Sequence, residues 1–370
     1  MSMSADQVLE RRLVVQRLTS APLPDPVDVV RLLTCVQAQD APLARFSVGM
    51  RTAGATDAAV RAALDTGRIV RTHILRPTWH IVAVEDLRWI LALTSPKVIS
   101  GMAARHRQLG LDDHALVDQA LDELASMLVG RRFMTRAEIG AALGAAALPS
   151  SGEQVGHVLL LAELTGLVCS GPLRATTHTY GLVDELVAPQ PALERDDAVR
   201  RLVLRFFAGH GPAAPSDLAR WTTLRLGEIR PALADLSDKL ETTVIEGTTL
   251  WFDPACVVAP RQVERAFLLP TFDEVFLTYH DLNFPRAPSH PRGMEQHRFA
   301  EAGGGVIVCD RHDVGCWKRK EAGRSDVMVR LALADSLGPE QRDAVIAAAT
   351  RMGAFFEREV RIDAVLRPSR

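Results

Sequence analysis

Residues 199–206 read VRRLVLRF, residues 212–221 PAAPSDLARW, residues 226–236 LGEIRPALADL and residues 241–252 ETTVIEGTTLWF. These four runs decide the fold. Val199, Leu202, Val203 and Phe206 recur at i, i+3, i+4 and i+7, the spacing of an amphipathic helix. Gly209-His210-Gly211-Pro212 ends it. Pro215 and Ser216 open a short second helix through Trp221. A third spans Leu226 to Leu236, where Pro231 predicts a kink or a late start. Glu241–Ile245 and Thr248–Phe252 are β-rich and separated by Glu246-Gly247, a hairpin signal. Three helices and a two-stranded wing make a winged helix, a helix-turn-helix variant.

The same order recurs outward along the chain. Over 113–185, Val117, Ala120, Leu121, Leu124 and Leu128 form one helical face. Thr135/Glu138 and Ser151/Gln154 are capping-box pairs that open two more helices, and Gly166 is a C-cap. Leu167–Cys169 and Thr177–Leu182 supply a wing. Over 5–85, Asp25-Pro26 starts a helix whose buried stripe is Val29, Leu32, Leu33 and Val36. A helix follows near Thr56–Leu64, then strands at Ile69–Thr72 and Thr78–Val82, and a helical connector at Val84–Leu93. The last 110 residues differ. Strands are expected near 266–270, 306–308, 314–317, 326–333 and 360–362, with a long helix at Pro339–Arg358. This reads as a small α+β or barrel-like module. Pro285–Pro291 reads as a loop, and Gly303-Gly304-Gly305 as a flexible turn. The expected fold is mainly α with β-hairpins (α+β): three tandem winged-helix units over 1–95, 96–190 and 191–260, and a C-terminal β-rich module over 261–370.

Composition bounds the function. The 370 residues are 47% hydrophobic and carry a net charge of −2, which argues against a wholly basic nucleic-acid coat but leaves room for a local basic face. No run of about 18 apolar residues suggests a membrane span, and Met1–Leu9 lacks a signal-peptide pattern. The five cysteines form no CxxC pair and their number is odd, so neither a disulfide framework nor a zinc site is expected. A cytoplasmic monomer with no metal and no cofactor is the expectation. P-loop, GxGxxG, GxSxG and HExxH templates are missing.

Four constellations remain. Gln37-Ala38-Gln39-Asp40 follows an apolar helix face; its plain reading is a helix end facing water. Residues 71–80, RTHILRPTWH, concentrate Thr72, His73, Arg76, Thr78, Trp79 and His80 at a hairpin that either meets DNA or simply keeps Trp79 in the core. Asp273-Glu274 follow an apolar strand and serve as a turn cap or as functional acids. Arg311, His312, Lys318, Arg319 and Lys320 form the densest basic run, a phosphate-contacting edge or a solvated hairpin.

Residues 33–42 (LTCVQAQDAP), 72–80 and 268–274 together resemble the AlkZ/YcaQ winged-helix superfamily of bacterial DNA glycosylases, along essentially the whole chain. The Gln-x-Gln form is similar to the AlkZ-like branch; the YcaQ-like branch has Asp where this chain has Gln39. The resemblance implies a monofunctional glycosylase in which Gln37 and Gln39 position the water that attacks C1′. A neutral amide is a poor general base but orients water well. Such a site suffices where the leaving base is already cationic, as in N7-alkylpurines and N7-linked interstrand crosslinks. Double-stranded DNA carrying alkylated purines is then the partner. Asp40 and Asp273 are accessory candidates, and Thr72, His73, Arg76, Thr78, Trp79, His80, Arg311, Lys318, Arg319 and Lys320 are DNA-contact candidates. Extrusion of the lesion and access through the groove both stay open. Two other readings compete: a non-catalytic winged-helix regulator, and an enzyme centred on Asp273 or Glu274.

Overall fold

The computed structural model describes residues 3–256, 264–280, 284–287, 303–321 and 326–366. Helix α1 (Ala5–Val15) opens on a reciprocal Ser4/Gln7 capping box. Asp25 caps α2 (Pro26–Leu33), with Pro26 at the first helical position as expected. The helix stops at Thr34, whose φ of 66° and ψ of −53° lie near the rare γ-turn geometry. Val36 therefore leaves the helical stripe and enters strand β1 (Cys35–Gln37). Asp40 caps α3 (Ala41–Met50), and α4 (Asp57–Asp65) follows.

Strands β2 (Ile69–His73) and β3 (Trp79–Ala83) pair antiparallel, with Thr72 opposite His80 and His73 opposite Trp79. Helix α5 (Leu87–Gly101) runs through Pro96, well beyond the expected end near Leu93. Then come α6 (Ala103–Gln108), α7 (His114–Leu128), β4 (Met134–Thr135), α8 (Arg136–Ala145) and α9 (Gly152–Leu164). Both expected capping boxes form, Thr135/Glu138 on α8 and Ser151/Gln154 on α9. Gly166, at φ 73°, turns the chain into β5 (Val168–Ser170), which pairs with β6 (Thr179–Leu182). Val117, Ala120, Leu124 and Leu128 of α7 are buried against Ile139, Leu143, Val155, Val158 and Val168, with Leu121 packed at the margin. Truncating Leu124 there would cost about 2–5 kcal/mol.

After α10 (Val183–Leu186) the chain forms α11 (Arg195–His210), α12 (Pro215–Trp221), α13 (Leu226–Asp235) and the hairpin β7 (Glu241–Ile245) and β8 (Thr248–Phe252). Helix α13 passes through Pro231 with no late start. The remaining elements are β9 (Ala266–Pro270), α14 (Glu274–Leu277), β10 (Gly304–Cys309), β11 (His312–Glu321), β12 (Asp326–Leu333), α15 (Pro339–Phe355) and β13 (Glu359–Leu366). They build a sheet in the order β13-β12-β11-β10-β9, antiparallel except for the β12–β13 pair that α15 connects. Among the described residues the strand order is open, as in an α+β module and not a closed barrel. Gly304 and Gly305 lie inside β10, where a Cβ would stand 2.0 and 1.8 Å from the carbonyl oxygens of Trp317 and Leu269. Gly303 does sit in a turn, at φ 83°, whereas Gly304 and Gly305 are sites of close strand approach, which corrects the flexible-turn expectation for those two. Residues 288–291 of the expected loop lie outside the described residues.

The chain divides into two compact units. One comprises Met1–Val60, Leu204–Leu218 and Asp235–Arg370. The other comprises Arg61–Val203 and Ala219–Ala234. No helix among the described residues is long and apolar enough to cross a membrane. Helices and sheets together make the mixed α+β fold expected from the sequence.

Candidate functional site

In the first unit, Thr34 ends α2 and places Cys35, Val36 and Gln37 in an extended run buried along its length. Gln37 is 8% exposed, so it does not simply face water as the plain reading has it. It lines a cavity of about 30 Å³ with Asp40, Leu43, Ala44 and Ser47 on one side and Pro270–Phe272 and Gly303 on the other. That volume suffices for a bound water, which needs at least about 10–15 Å³. Asp40 spends Oδ1 on the Leu43 N–H at 3.1 Å, the N-cap bond of α3, and lines the same wall. Gln39 is exposed and lies outside this lining, because β1 ends at Gln37 and the chain bends at residues 39 and 40. Gln37 and Asp40, not Gln37 and Gln39, are therefore brought together at the cavity.

A buried polar layer supports this wall. Asp273 caps α14 and pairs with Arg51 through two bonds, Arg51 Nη2 to Oδ1 at 2.7 Å and Nη1 to Oδ2 at 2.8 Å, with both side chains fully buried. Ser47 donates to Asp273 Oδ2 at 2.6 Å, and the Val275 N–H to Oδ1 at 3.0 Å. Asp273 thus has both oxygens engaged and no surface to offer a substrate. Arg51 also donates to the Gln16 carbonyl and side chain. Gln16 in turn donates to the Tyr279 hydroxyl at 3.0 Å. Burial pushes the Tyr279 phenol well above its ordinary value, so it stays a hydroxyl. Arg51, Gln16, Ser47 and Tyr279 carry no local sequence signal. Only the Asp273-Glu274 pair is marked in the sequence.

In the second unit, the hairpin residues are mostly turned inward. Thr72 and His80 are fully buried, and His73 is 8% exposed. His73 Nδ1 meets Glu163 at 2.5 Å, and Trp79 Nε1 donates to the other Glu163 oxygen at 3.3 Å. Trp79, half-buried, has the Arg71 guanidinium over its ring at 4.1 Å and the His73 ring at 4.5 Å. Arg76 donates to His80 Nε2 at 3.4 Å, and His80 Nδ1 donates to the Thr78 carbonyl at 2.9 Å. Thr72, His73 and His80 therefore offer DNA almost no surface here; Arg76, Thr78 and Trp79 remain half-exposed. Glu163, the buried anchor of this cluster, is not singled out by the sequence.

The basic run splits. Arg311 sits with Asp310 in the β10–β11 turn, both at positive φ, while Lys318–Lys320 lie at the far end of β11. Arg311 and Lys318 are seven positions apart, about 23 Å along an extended strand. Lys318 and Lys320 share one face of the strand by its two-residue period. Arg319 points to the other, with its guanidinium 4.7 Å from the Phe356 ring centre. Burial lowers the Arg319 pKa, partly offset by the attraction of Asp40. The four cations are not one patch.

Comparison with known proteins bears on the fold and the family. The profile of the AlkZ-like DNA glycosylase family matches residues 30–355. The chain is 26% identical over 340 residues to the interstrand DNA cross-link repair glycosylase of Streptomyces sahachiroi, covering 86% of this chain and 88% of that protein. The solved structure of Streptomyces sahachiroi DNA glycosylase AlkZ shares the fold with a TM-score of 0.74 at 22% identity, covering 98% of this chain and all of that one. With its profile matched from α2 to the end of α15, the chain belongs to the AlkZ-like DNA glycosylase family.

Proposed function

We propose that this DNA glycosylase hydrolyses the N-glycosidic bond of cationic N7-alkylpurines, including those that link two strands, with Gln37 and Asp40 at the reacting water. The observation that carries the reading is the water-sized cavity walled by both residues. Gln37 orients the water through its carboxamide and offers its dipole to the sugar as positive charge develops. The C1′–N9 bond breaks with its electron pair passing to the purine, which leaves neutral and needs no acid. Water oxygen bonds C1′, and its proton goes to Asp40, because an amide cannot hold it. Gln39, exposed beside this wall, contacts the lesion-bearing strand. The glycosylase name of the Streptomyces sahachiroi relative supports the crosslink part of the reading.

DNA is held, in this reading, by three winged-helix segments and the C-terminal module acting as a monomer. Arg76, Thr78 and Trp79 of the hairpin meet the duplex, and Lys318, Lys320 and Arg311 meet phosphates at separate places. The test is release of N7-methylguanine from methylated duplex DNA under single-turnover conditions. Gln37→Ala and Asp40→Asn are each expected to slow release at least 10-fold, and Gln39→Ala less. Equal release by wild type and Gln37→Ala would end the assignment. Sequence-specific binding to intact duplex with no base release would instead favour a regulator.

A further inference from the structure

Behind Gln37 lies a second polar group that does not line the cavity. Glu274, at the start of α14, is fully buried. Its Oε1 accepts the Gln37 backbone N–H at 2.9 Å. Its Oε2 accepts from Thr278 Oγ1 at 3.4 Å and faces His210 Nε2 at 3.6 Å. His210 is itself fixed. Its ring stacks on Phe206 with centroids 4.8 Å apart, Nδ1 donates to the Phe206 carbonyl at 3.3 Å, and its own carbonyl accepts the Tyr279 hydroxyl at 2.7 Å. With Nδ1 donating to that carbonyl, Nε2 is the ring nitrogen turned toward Glu274. The same end of α11 bears on the α2–β1 junction. Gly209 approaches so closely that a Cβ would stand 2.3 Å from the Leu32 carbonyl oxygen, and Arg205 donates to the Arg31 carbonyl at 2.6 Å.

A buried carboxyl group is costly unless its oxygens are bonded, and this one directs a whole oxygen at the main chain of the residue on the cavity wall. Strand β1 is only three residues long and follows the unusual Thr34 backbone. We propose that Glu274, backed by His210, is the positioning residue for Gln37. By accepting the Gln37 N–H it helps hold the end of β1 where Gln37 lines the cavity. Its consequence for catalysis rests on the base-release reading above; its consequence for the backbone does not.

The test combines two measurements on the full chain. The first is amide hydrogen exchange at Gln37. Glu274→Ala is expected to lose protection of that N–H at least 10-fold, while Glu274→Gln keeps it, since its carboxamide can present oxygen to Gln37 and nitrogen to His210. Glu274→Asp, one methylene short, serves where the alanine variant does not fold, and is expected to lose protection. The second is single-turnover release of N7-methylguanine with DNA affinity measured in parallel. Glu274→Ala or Glu274→Asp should slow release at least 10-fold with the DNA Kd within twofold, and Glu274→Gln should stay within threefold of wild type. In the Gln37→Ala background the further change should cost less than twofold, because the residue acts through Gln37. Unchanged Gln37 protection in Glu274→Ala or Glu274→Asp would overturn the proposal. So would a rate loss that adds in full to that of Gln37→Ala. Absence of base release by wild type, with protection responding as expected, would sink the substrate reading and leave the positioning role standing.

Discussion

Asp273 and Arg51 give the sharpest stability experiment, because two roles for the same acid predict opposite results. Asp273→Asn removes the charge facing Arg51 and replaces one oxygen by an NH2 donor. Every direction around the carboxylate already holds donors: Arg51 Nη2 and the Val275 N–H at Oδ1, and Arg51 Nη1 and Ser47 Oγ at Oδ2. Whichever way the amide turns, its nitrogen meets an Arg51 N–H, a donor that cannot accept. Breaking one side of a buried pair costs about 3–5 kcal/mol. Arg51 keeps its bonds to the Gln16 and Ser47 carbonyls, so some of its hydrogen bonding survives. At roughly 2–4 °C per kcal/mol for a body of this size, the melting midpoint should fall by about 6–20 °C. Arg51→Met/Asp273→Leu removes both charges at once and should cost less than the sum of the two single changes by about 2 kcal/mol. Urea denaturation with circular dichroism measures each variant, and single-turnover base release at low temperature reads the folded fraction. A structural acid predicts lower stability with the rate constant of the folded enzyme within threefold of wild type. Melting within 2 °C of wild type refutes the reasoning. A 10-fold slower folded enzyme of undiminished stability would put Asp273 in the chemistry instead.

Gly209→Ala should lower stability by about 1–3 kcal/mol, since the atom it strikes is a backbone carbonyl that cannot rotate away; a variant as stable as wild type would show that the α11–α2 approach is looser than 2.3 Å implies. The Glu138 carboxyl is held at about 2 by the Thr135 N–H, the Arg174 side chain and the Thr135 hydroxyl. Its folded value lies below the ordinary 4.5, so its contribution is present above that value and is lost as pH falls from there through about 2. Carbon-detected NMR titration of the side chain should find the low midpoint, and a midpoint near 4 would dismiss the capping-box bonds as formed in solution. Lys318→Ala/Lys320→Ala should reduce the slope of log Kd against log salt by up to about 2, and Arg311→Ala by up to about 1. Because the sites are far apart, the triple variant should show the sum; a slope change absent in all three would remove this edge from the DNA interface.

Caps and turns are legible in the sequence because their partners are neighbours. Thr135 and Glu138, or Ser151 and Gln154, find each other within one helical turn whatever the rest of the chain does. Helix lengths are less legible. Pro96 and Pro231 look like interruptions, yet both are accommodated inside helices, where packing outweighs a lost hydrogen bond. The support of the site is hidden for a different reason. Arg51 and Asp273 stand 222 positions apart, and Gln37 and Glu274 237 apart, so no local pattern announces either pair. The basic run misleads in the opposite sense: nearness in sequence suggests a cluster, but an extended strand carries Arg311 and Lys318 to opposite ends.

The Gln-x-Gln motif shows how far a spacing argument reaches. Residues two apart share a face while a strand lasts, so Gln37 and Gln39 belong together on paper. Strand β1 lasts only through Gln37, and the N-cap of α3 then swings Asp40 back to the cavity. The cap bond that starts α3 thereby also brings a carboxylate to the wall, with Oδ1 committed to Leu43 and Oδ2 holding no hydrogen bond among the described residues. This resolves a chemical difficulty. Two amides can orient a water but cannot take its proton, whereas an amide and a carboxylate on one cavity can do both. Asp40→Asn therefore separates two jobs: the asparagine oxygen can still cap α3, but it cannot accept the proton. A helix start that survives while base release falls would assign the proton to Asp40; release at the wild-type rate would return the whole burden to the leaving group's own positive charge.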